Sequence, residues 1–136
     1  MFKIVESEIS IQAVIDAVDT PGAGAIVTFA GIVRNSTRGR RVRYLEFEAY
    51  PPMAEKKMKE IADEIYSQWG LDKVAMIHRV GRLEIGEVIV AIAVASPHRD
   101  KAFEACQYAI DRLKEVVPIW KREVWEDGTE EWVKPS

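Results

Sequence analysis

Apolar positions change period several times along the chain, and each change marks an element. From Ser10 onward, Ile11, Val14, Ile15 and Val18 follow the i, i+3, i+4, i+7 spacing of one buried helix face, with Ser10 placed to cap it. A second stripe runs through Ala54, Met58, Ile61, Ala62, Ile65 and Trp69, opened by Pro51 and Pro52 and stopped at Gly70. A third, Ala102, Ala105, Cys106, Ala109, Ile110, Leu113 and Val117, predicts a helix over residues 99–117, which Pro118 must end because the residue before a proline is disfavoured in helical geometry. Between these stripes the pattern reads as strand: Phe2–Val5, residues 25–33, 42–49, 74–80 and 88–95, and Ile119–Trp125 joined to 131–133 across an Asp127-Gly128 turn. In 42–49, Leu45, Phe47 and Ala49 alternate with Glu46 and Glu48, as in a strand with one face exposed, whereas 88–95 is apolar enough to lie at a sheet centre. The Gly81 to Gly86 region reads as a turn. The order β-α-β-β-α-β-β-α-β-β predicts an α+β fold with a mixed or mostly antiparallel sheet. No linker or repeat interrupts it, so residues 1–136 are expected to form one domain.

Composition narrows the function classes. Lys and Arg number 19 against 22 Asp and Glu, so the net charge of −3 supplies no overall attraction for nucleic acid, and any basic site must be local. Residues 88–95 fall far short of the roughly 18 apolar residues a membrane helix needs, and the N-terminus lacks the pattern of a signal peptide; a cytoplasmic protein with no membrane partner is expected. One cysteine and two histidines provide neither a disulfide framework nor a zinc-ligand cluster, so no metal site is expected.

Three local features carry candidate chemistry. Five arginines fall between Arg34 and Arg43; Arg38, Arg40 and Arg41 fit a solvated, mobile hairpin loop, but Arg34 closes an apolar strand, where a scaffold holds its planar fork for an anion such as phosphate. Ser96-Pro97-His98-Arg99-Asp100 lies where a central strand gives way to the third helix; free N–H groups and the helix dipole favour anions there, and His98 and Arg99 add donors, although plain helix capping by Ser96 or Asp100 would explain the same residues. Lys114 and Lys121 flank the break at Pro118, so a chain reversal would bring them together, and adjacent apolar surface or a neighbouring cation would lower an ammonium pKa toward a usable amine. Against this, a lysine near a helix C-terminus ordinarily does no more than stabilise the dipole. His78 alternates with Val74, Met76 and Val80 and reads as a hydrogen-bonded, partly buried histidine; Cys106 lies on a buried stripe and reads as an inert thiol. Neither G-x-x-x-x-G-K-[ST] nor G-x-G-x-x-G occurs, so nucleotide use through those loops has no support.

Taken together, Gly31-Ile-Val-Arg34-Asn35, Glu46-Phe-Glu-Ala-Tyr50-Pro51-Pro-Met53, His78-Arg-Val-Gly81, Ser96-Pro-His98-Arg99 and the run from Lys114 through Pro118-Ile-Trp120-Lys121-Arg122-Glu123 resemble the large, catalytic subunit of molybdopterin synthase over almost the whole chain. The resemblance implies an α/β-hammerhead fold with an additional β-rich portion, a dimer of large subunits, and a ubiquitin-like small subunit at each end of a heterotetramer. It also implies conversion of cyclic pyranopterin monophosphate to molybdopterin, the two dithiolene sulfurs coming from the small subunit's C-terminal Gly-Gly thiocarboxylate. Carried over by position, Lys114 and Lys121 match the family's active-site lysines, and Arg34, His98 and Arg99 its pterin-phosphate positions, with Arg122 and Glu123 adjoining as further substrate-binding candidates. No cofactor and no metal site are implied, because molybdenum is inserted by later proteins. The chain ends Val133-Lys134-Pro135-Ser136 and not Gly-Gly, so it resembles the acceptor of sulfur and not its carrier. Some relatives extend further and lend a basic residue to the neighbouring subunit's pocket; only Lys134 is available here.

A second class, a non-catalytic module binding RNA or a phosphorylated ligand through the Arg34 to Arg43 loop, predicts a contiguous basic face with exposed stacking aromatics, whereas Trp69 and Phe103 read as packing residues. Convergence of Lys114 and Lys121 with Arg34 in one cleft discriminates between the two classes.

Overall fold

The computed structural model describes residues 1–133. Its elements are β1 (Phe2–Val5), α1 (Ile11–Val18), β2 (Ala25–Ile32), β3 (Ser36–Thr37), β4 (Arg40–Ala49), α2 (Pro51–Trp69), β5 (Val74–Arg79), β6 (Gly81–Glu84), β7 (Val88–Ser96), α3 (Arg99–Val116), β8 (Ile119–Trp125) and β9 (Glu130–Val133). The helix stripes translate directly. The Ser10 hydroxyl accepts the Ala13 N–H at 3.1 Å, Gly70 ends α2 at φ 72°, and Val117 leaves α3 in extended geometry ahead of Pro118.

The first sheet has the order β1-β5-β7-β2, in which only β1 and β5 run parallel. Its two inner strands are buried on both faces, which is why they lack polar alternation. Val74, Met76, Val90, Ile92 and Val94 face the core shared with α2 and α3, while Ala75, Ile77, Ala91, Ala93 and Ala95 face α1 through Val14 and Val18. The small alanines allow α1 to approach the sheet closely. The second sheet has the order β3-β4-β8-β9, with β6 on the other side of β4, and all its pairings are antiparallel. This β-rich portion shares the larger core through Leu45, Phe47, Leu83, Ile119 and Trp125.

Three expectations need correction. The Gly81 to Gly86 region is strand over Gly81–Glu84, pairing with β4; the turn proper is Ile85 and Gly86, the latter at φ 88°. The arginine loop is a tight hairpin in which Arg38 and Gly39 take positive φ, 52° and 78°, between paired β3 and β4, and its arginines do more than solvate the surface. Arg40 donates to Thr129 Oγ1 at 3.0 Å and stacks 4.1 Å from the Trp125 ring centre, and Arg41 pairs with Glu126 at 3.7 Å, so these arginines fasten the β8–β9 turn. Phe103 is 59% exposed, since it lies one step outside the Ala102, Cys106, Ala109 stripe. No helix among the described residues is long and apolar enough to cross a membrane.

Gly24 leads into β2 with its N–H donating to the Ser96 carbonyl at 3.0 Å, and a Cβ built there would stand 2.3 Å from the Pro97 carbonyl oxygen. Gly24→Ala is therefore expected to destabilise the fold by about 1–3 kcal/mol, because backbone and not a yielding side chain must move. Urea unfolding of the two proteins measures this directly, and an unchanged midpoint would contradict the close approach.

Candidate active site

One cavity of about 360 Å³ opens where the two sheets and the C-terminal half of α3 meet. Its walls combine Gly31 and Ile32 of β2, Leu45 and Phe47 of β4, His78 of β5, Leu113 and Lys114 of α3, and Ile119, Lys121 and Glu123 of β8, with Arg34 and Thr37 from the segment after β2. Arg34, Lys114 and Lys121 thus converge on one space, as the lysine pairing across Pro118 anticipates.

Each side chain has a local reason for its position. Register places Lys121 opposite Phe47 and Glu123 opposite Leu45, so strand alternation directs both charged residues to the inner face of the second sheet. Arg34 follows buried Val33, whose N–H donates to the Glu87 carbonyl at 3.0 Å while its own carbonyl accepts the Gly86 N–H at 2.9 Å. That turn is braced by the Glu87 carboxylate, which accepts the Glu84 N–H and an Arg79 N–H, each at 2.7 Å; these bonds, the Glu84 one foremost, lower the Glu87 pKa. Arg34 therefore leaves a fixed point.

The site grades from cationic and exposed to polar and buried. Arg34 and Lys114 are exposed and have no carboxylate partner among the described residues. Lys121 is half-buried and forms an ion pair with Glu123 Oε1 at 3.1 Å, and Glu123 itself is buried, with 4% exposure. His78 is equally buried; its Nδ1 lies 2.8 Å from the Arg79 carbonyl oxygen and its ring meets Phe47 edge-to-face at 5.2 Å. Burial lowers the His78 pKa from 6.5 to about 4, so the ring is neutral near pH 7. Two cations unpaired among the described residues and one tethered ammonium give this apolar-walled space the local positive charge that binding an anionic small molecule requires.

Other candidates lie elsewhere. Arg122 points to the outer face of β8, where Glu46 and Glu130 bind its guanidinium, Glu130 at 2.7 Å; the Glu46 bond foremost pushes its pKa further up. His98 and Arg99 are exposed at the opposite end of α3, with the His98 N–H donating to Ser96 Oγ at 3.3 Å. Fifteen helical rises separate Arg99 from Lys114, about 22 Å along the axis, and neither His98 nor Arg99 lines the cavity of its own chain. Lys134 lies outside the described residues. Two further cavity residues are Thr37, which the sequence pattern does not single out, and His78, which it reads only as a hydrogen-bonded, partly buried strand residue; the packing of β5 and β3 beside β4 reveals both.

Fold and site together define an α+β protein with a cation-lined cavity of a size suited to a small molecule. More particularly, the chain belongs to the MoaE protein family, whose family model matches residues 4–116. It is 58% identical over 132 residues to the molybdopterin synthase catalytic subunit of Halalkalibacterium halodurans, covering 97% of this chain and 84% of that protein. Molybdopterin synthase from Staphylococcus aureus superposes with a TM-score of 0.93 at 46% identity, covering 97% of this chain and 96% of that one. A chain from the Helicobacter pylori complex of molybdopterin-converting factor subunits 1 and 2 shares the fold, with a TM-score of 0.78 at 21% identity, over 97% of this chain and 89% of that one.

The buried imidazole has a thermodynamic signature. Between pH 6.5 and about 4 the unfolded chain binds a proton at His78 that the folded chain refuses, so the stability His78 contributes is complete above 6.5 and is lost as pH falls through about 4. That span corresponds to about 3 kcal/mol. The difference in unfolding free energy between wild type and His78→Asn, measured in urea at a series of pH values, should shift by about this amount across the window. A difference independent of pH would refute the neutral buried ring.

Proposed function

We propose that this chain is the catalytic subunit of a molybdopterin synthase, converting cyclic pyranopterin monophosphate to molybdopterin with two sulfurs delivered by the C-terminal thiocarboxylate of a small ubiquitin-like subunit. The observation that carries the reading is the convergence of Arg34, Lys114 and Lys121 on one cavity, two of the three without a carboxylate partner among the described residues. Both reactants are anions. A phosphate is suited to the Arg34 fork, and a thiocarboxylate entering on a side-chain-free Gly-Gly tail is suited to a narrow space between two ammonium groups. Lys114 is exposed enough to meet the incoming sulfur, while Glu123 holds Lys121 at a defined place and gives it a proton acceptor at 3.1 Å. Apolar walls from Phe47, Leu113 and Ile119 limit water, which strengthens every charge–charge contact inside.

His98 and Arg99 enter this reading through the dimer. They lie about 22 Å along α3 from Lys114 and outside the lining of their own chain's cavity, and a second copy can present them to the phosphate end of its neighbour's cavity. The assembly in this reading is a dimer of these subunits with a small subunit on each; the H. pylori two-subunit complex, which shares the fold, supports the pairing with a small subunit. The reaction is assigned to the cytoplasm. A phosphate- or RNA-binding role for the arginine hairpin is disfavoured because Arg40 and Arg41 are engaged by Asp127 and Glu126.

The deciding experiment combines purified protein, thiocarboxylated small subunit and cyclic pyranopterin monophosphate and assays dithiolene product; no product from a folded complex would overturn the assignment. Within that assay, Lys114→Ala should nearly abolish turnover and leave the melting temperature close to wild type, since an exposed helix-end lysine contributes little to folding. Arg34→Ala should instead weaken pterin binding by about 1.5–3 kcal/mol, the worth of a charge-assisted contact, read as a raised dissociation constant. Mixing Arg99→Ala chains with Lys114→Ala chains tests the shared site. If Arg99 acts across the dimer, mixed dimers regain one intact cavity and measurable turnover; if it acts within its own chain, none is regained.

A further inference from the structure

The polar groups of the cavity are unevenly matched to the ligand proposed for it. Arg34, Lys114 and Lys121 are donors only, the Glu123 carboxylate is paired with Lys121 through Oε1 at 3.1 Å, and the Thr37 hydroxyl can both donate and accept. A pterin presents N–H donors as well as lone pairs, and a donor carried into a water-poor cavity without an acceptor is costly. His78 holds an acceptor in that cavity. Position 78 is on the same side of β5 as Val74 and Met76, but where those two meet the helices of the core, the His78 ring meets the cavity and Phe47.

Its tautomer follows from its neighbours. The Arg79 carbonyl 2.8 Å from Nδ1 can only accept, so Nδ1 carries the proton and Nε2 carries the lone pair. No described residue bonds Nε2, and it is not among the fully enclosed orphan atoms. The Phe47 edge contact and the Nδ1 bond together fix the ring plane from two sides. We propose that His78 is a positioning and specificity residue, its Nε2 accepting a hydrogen bond from an N–H or O–H of the heterocyclic substrate and so setting which edge of the ring faces Lys114 and Lys121. This rests on the function proposed above. It also gives the buried, neutral state of the ring a use, since a protonated imidazole would add a fourth donor and no acceptor.

Two amide substitutions separate this role from a structural one. The Asn amide nitrogen reproduces Nδ1 and its bond to the Arg79 carbonyl but lacks Nε2, whereas the Gln amide oxygen reaches the Nε2 position and abandons Nδ1. In the assembled complex with the thiocarboxylated small subunit, using cyclic pyranopterin monophosphate as the probe, His78→Asn is expected to weaken pterin binding about tenfold and His78→Gln to hold it within about threefold of wild type. The reverse ranking, or equal binding by both, overturns the assignment. If neither variant folds, nitrogen NMR of the wild-type imidazole decides: added pterin should move the Nε2 resonance and leave Nδ1 in place, and an Nε2 resonance unmoved at saturation overturns the proposal. Wild-type turnover separates the two levels. Its absence removes the parent reading and this inference with it, whereas normal turnover with an indifferent Nε2 removes this inference alone.

Discussion

Pro118 cannot continue α3, and the reversal it forces determines what enters the cavity. Val117 adopts extended geometry, Ile119 begins β8 opposite Ala49, and the antiparallel register then fixes Lys121 on Phe47 and Glu123 on Leu45. Parity makes this placement all-or-none. A slip of one residue between Pro118 and β8 would turn Lys121 and Glu123 to the outer face and bring Trp120 and Arg122 inward. Lys114, meanwhile, is set by the last turns of the helix, beside the Leu113 and Val117 that anchor α3 in the core. Two lysines on different elements thus share a space because one proline joins those elements at a fixed phase.

The electrostatics of the site are best seen by subtraction. An acidic chain with 19 basic side chains can engage many of them in ion pairs, and this one does so: Arg40, Arg41, Arg79, Arg112 and Arg122 all have carboxylate partners. The Glu64 carboxylate alone takes Arg112 and the Tyr108 hydroxyl, bracing α2 against α3, and its pKa is lowered by the Arg112 bond first and the tyrosine second. What distinguishes Arg34 and Lys114 is therefore not charge but the lack of a partner among the described residues while lining a concave wall. A local field of this kind survives a negative net charge because a ligand at contact distance feels the nearest groups far more strongly than charges beyond a Debye length, about 8 Å at physiological salt.

Much of this was legible in one-dimensional form. Helix stripes, the Asp127-Gly128 hairpin and the doubly apolar β7 follow from periods of 3.6 and 2 and from turn chemistry, which act within a few residues. The lysine pair was legible for the same reason, since Pro118 lies between them. The partition into two sheets was not, because β6 looks like a glycine-bounded turn until β4 is available to pair with it. Nor was the separation of Arg99 from Lys114: both lie near ends of one helix, and only its length, a matter of rise per residue, shows that those ends serve different places. The alternation around His78 predicts a hydrogen-bonded, partly buried ring; the hydrogen bond is there and the burial is deeper, yet its contact with a cavity depends on which neighbours leave a gap, and no local pattern encodes a gap.

Cys106 sits on the buried stripe of α3 with 4% exposure, and burial raises its pKa to about 11. At neutral pH the fraction present as thiolate is vanishingly small, and the sulfur has little access to solvent. For a protein that handles activated sulfur, this is a matter of chemical fidelity. A reactive thiolate near the cavity would compete with the pterin by attacking the carbonyl carbon of the thiocarboxylate, forming a thioester with the small subunit and expelling the sulfur as hydrosulfide. By keeping its single cysteine protonated and enclosed, the chain offers the transferred atom no second destination.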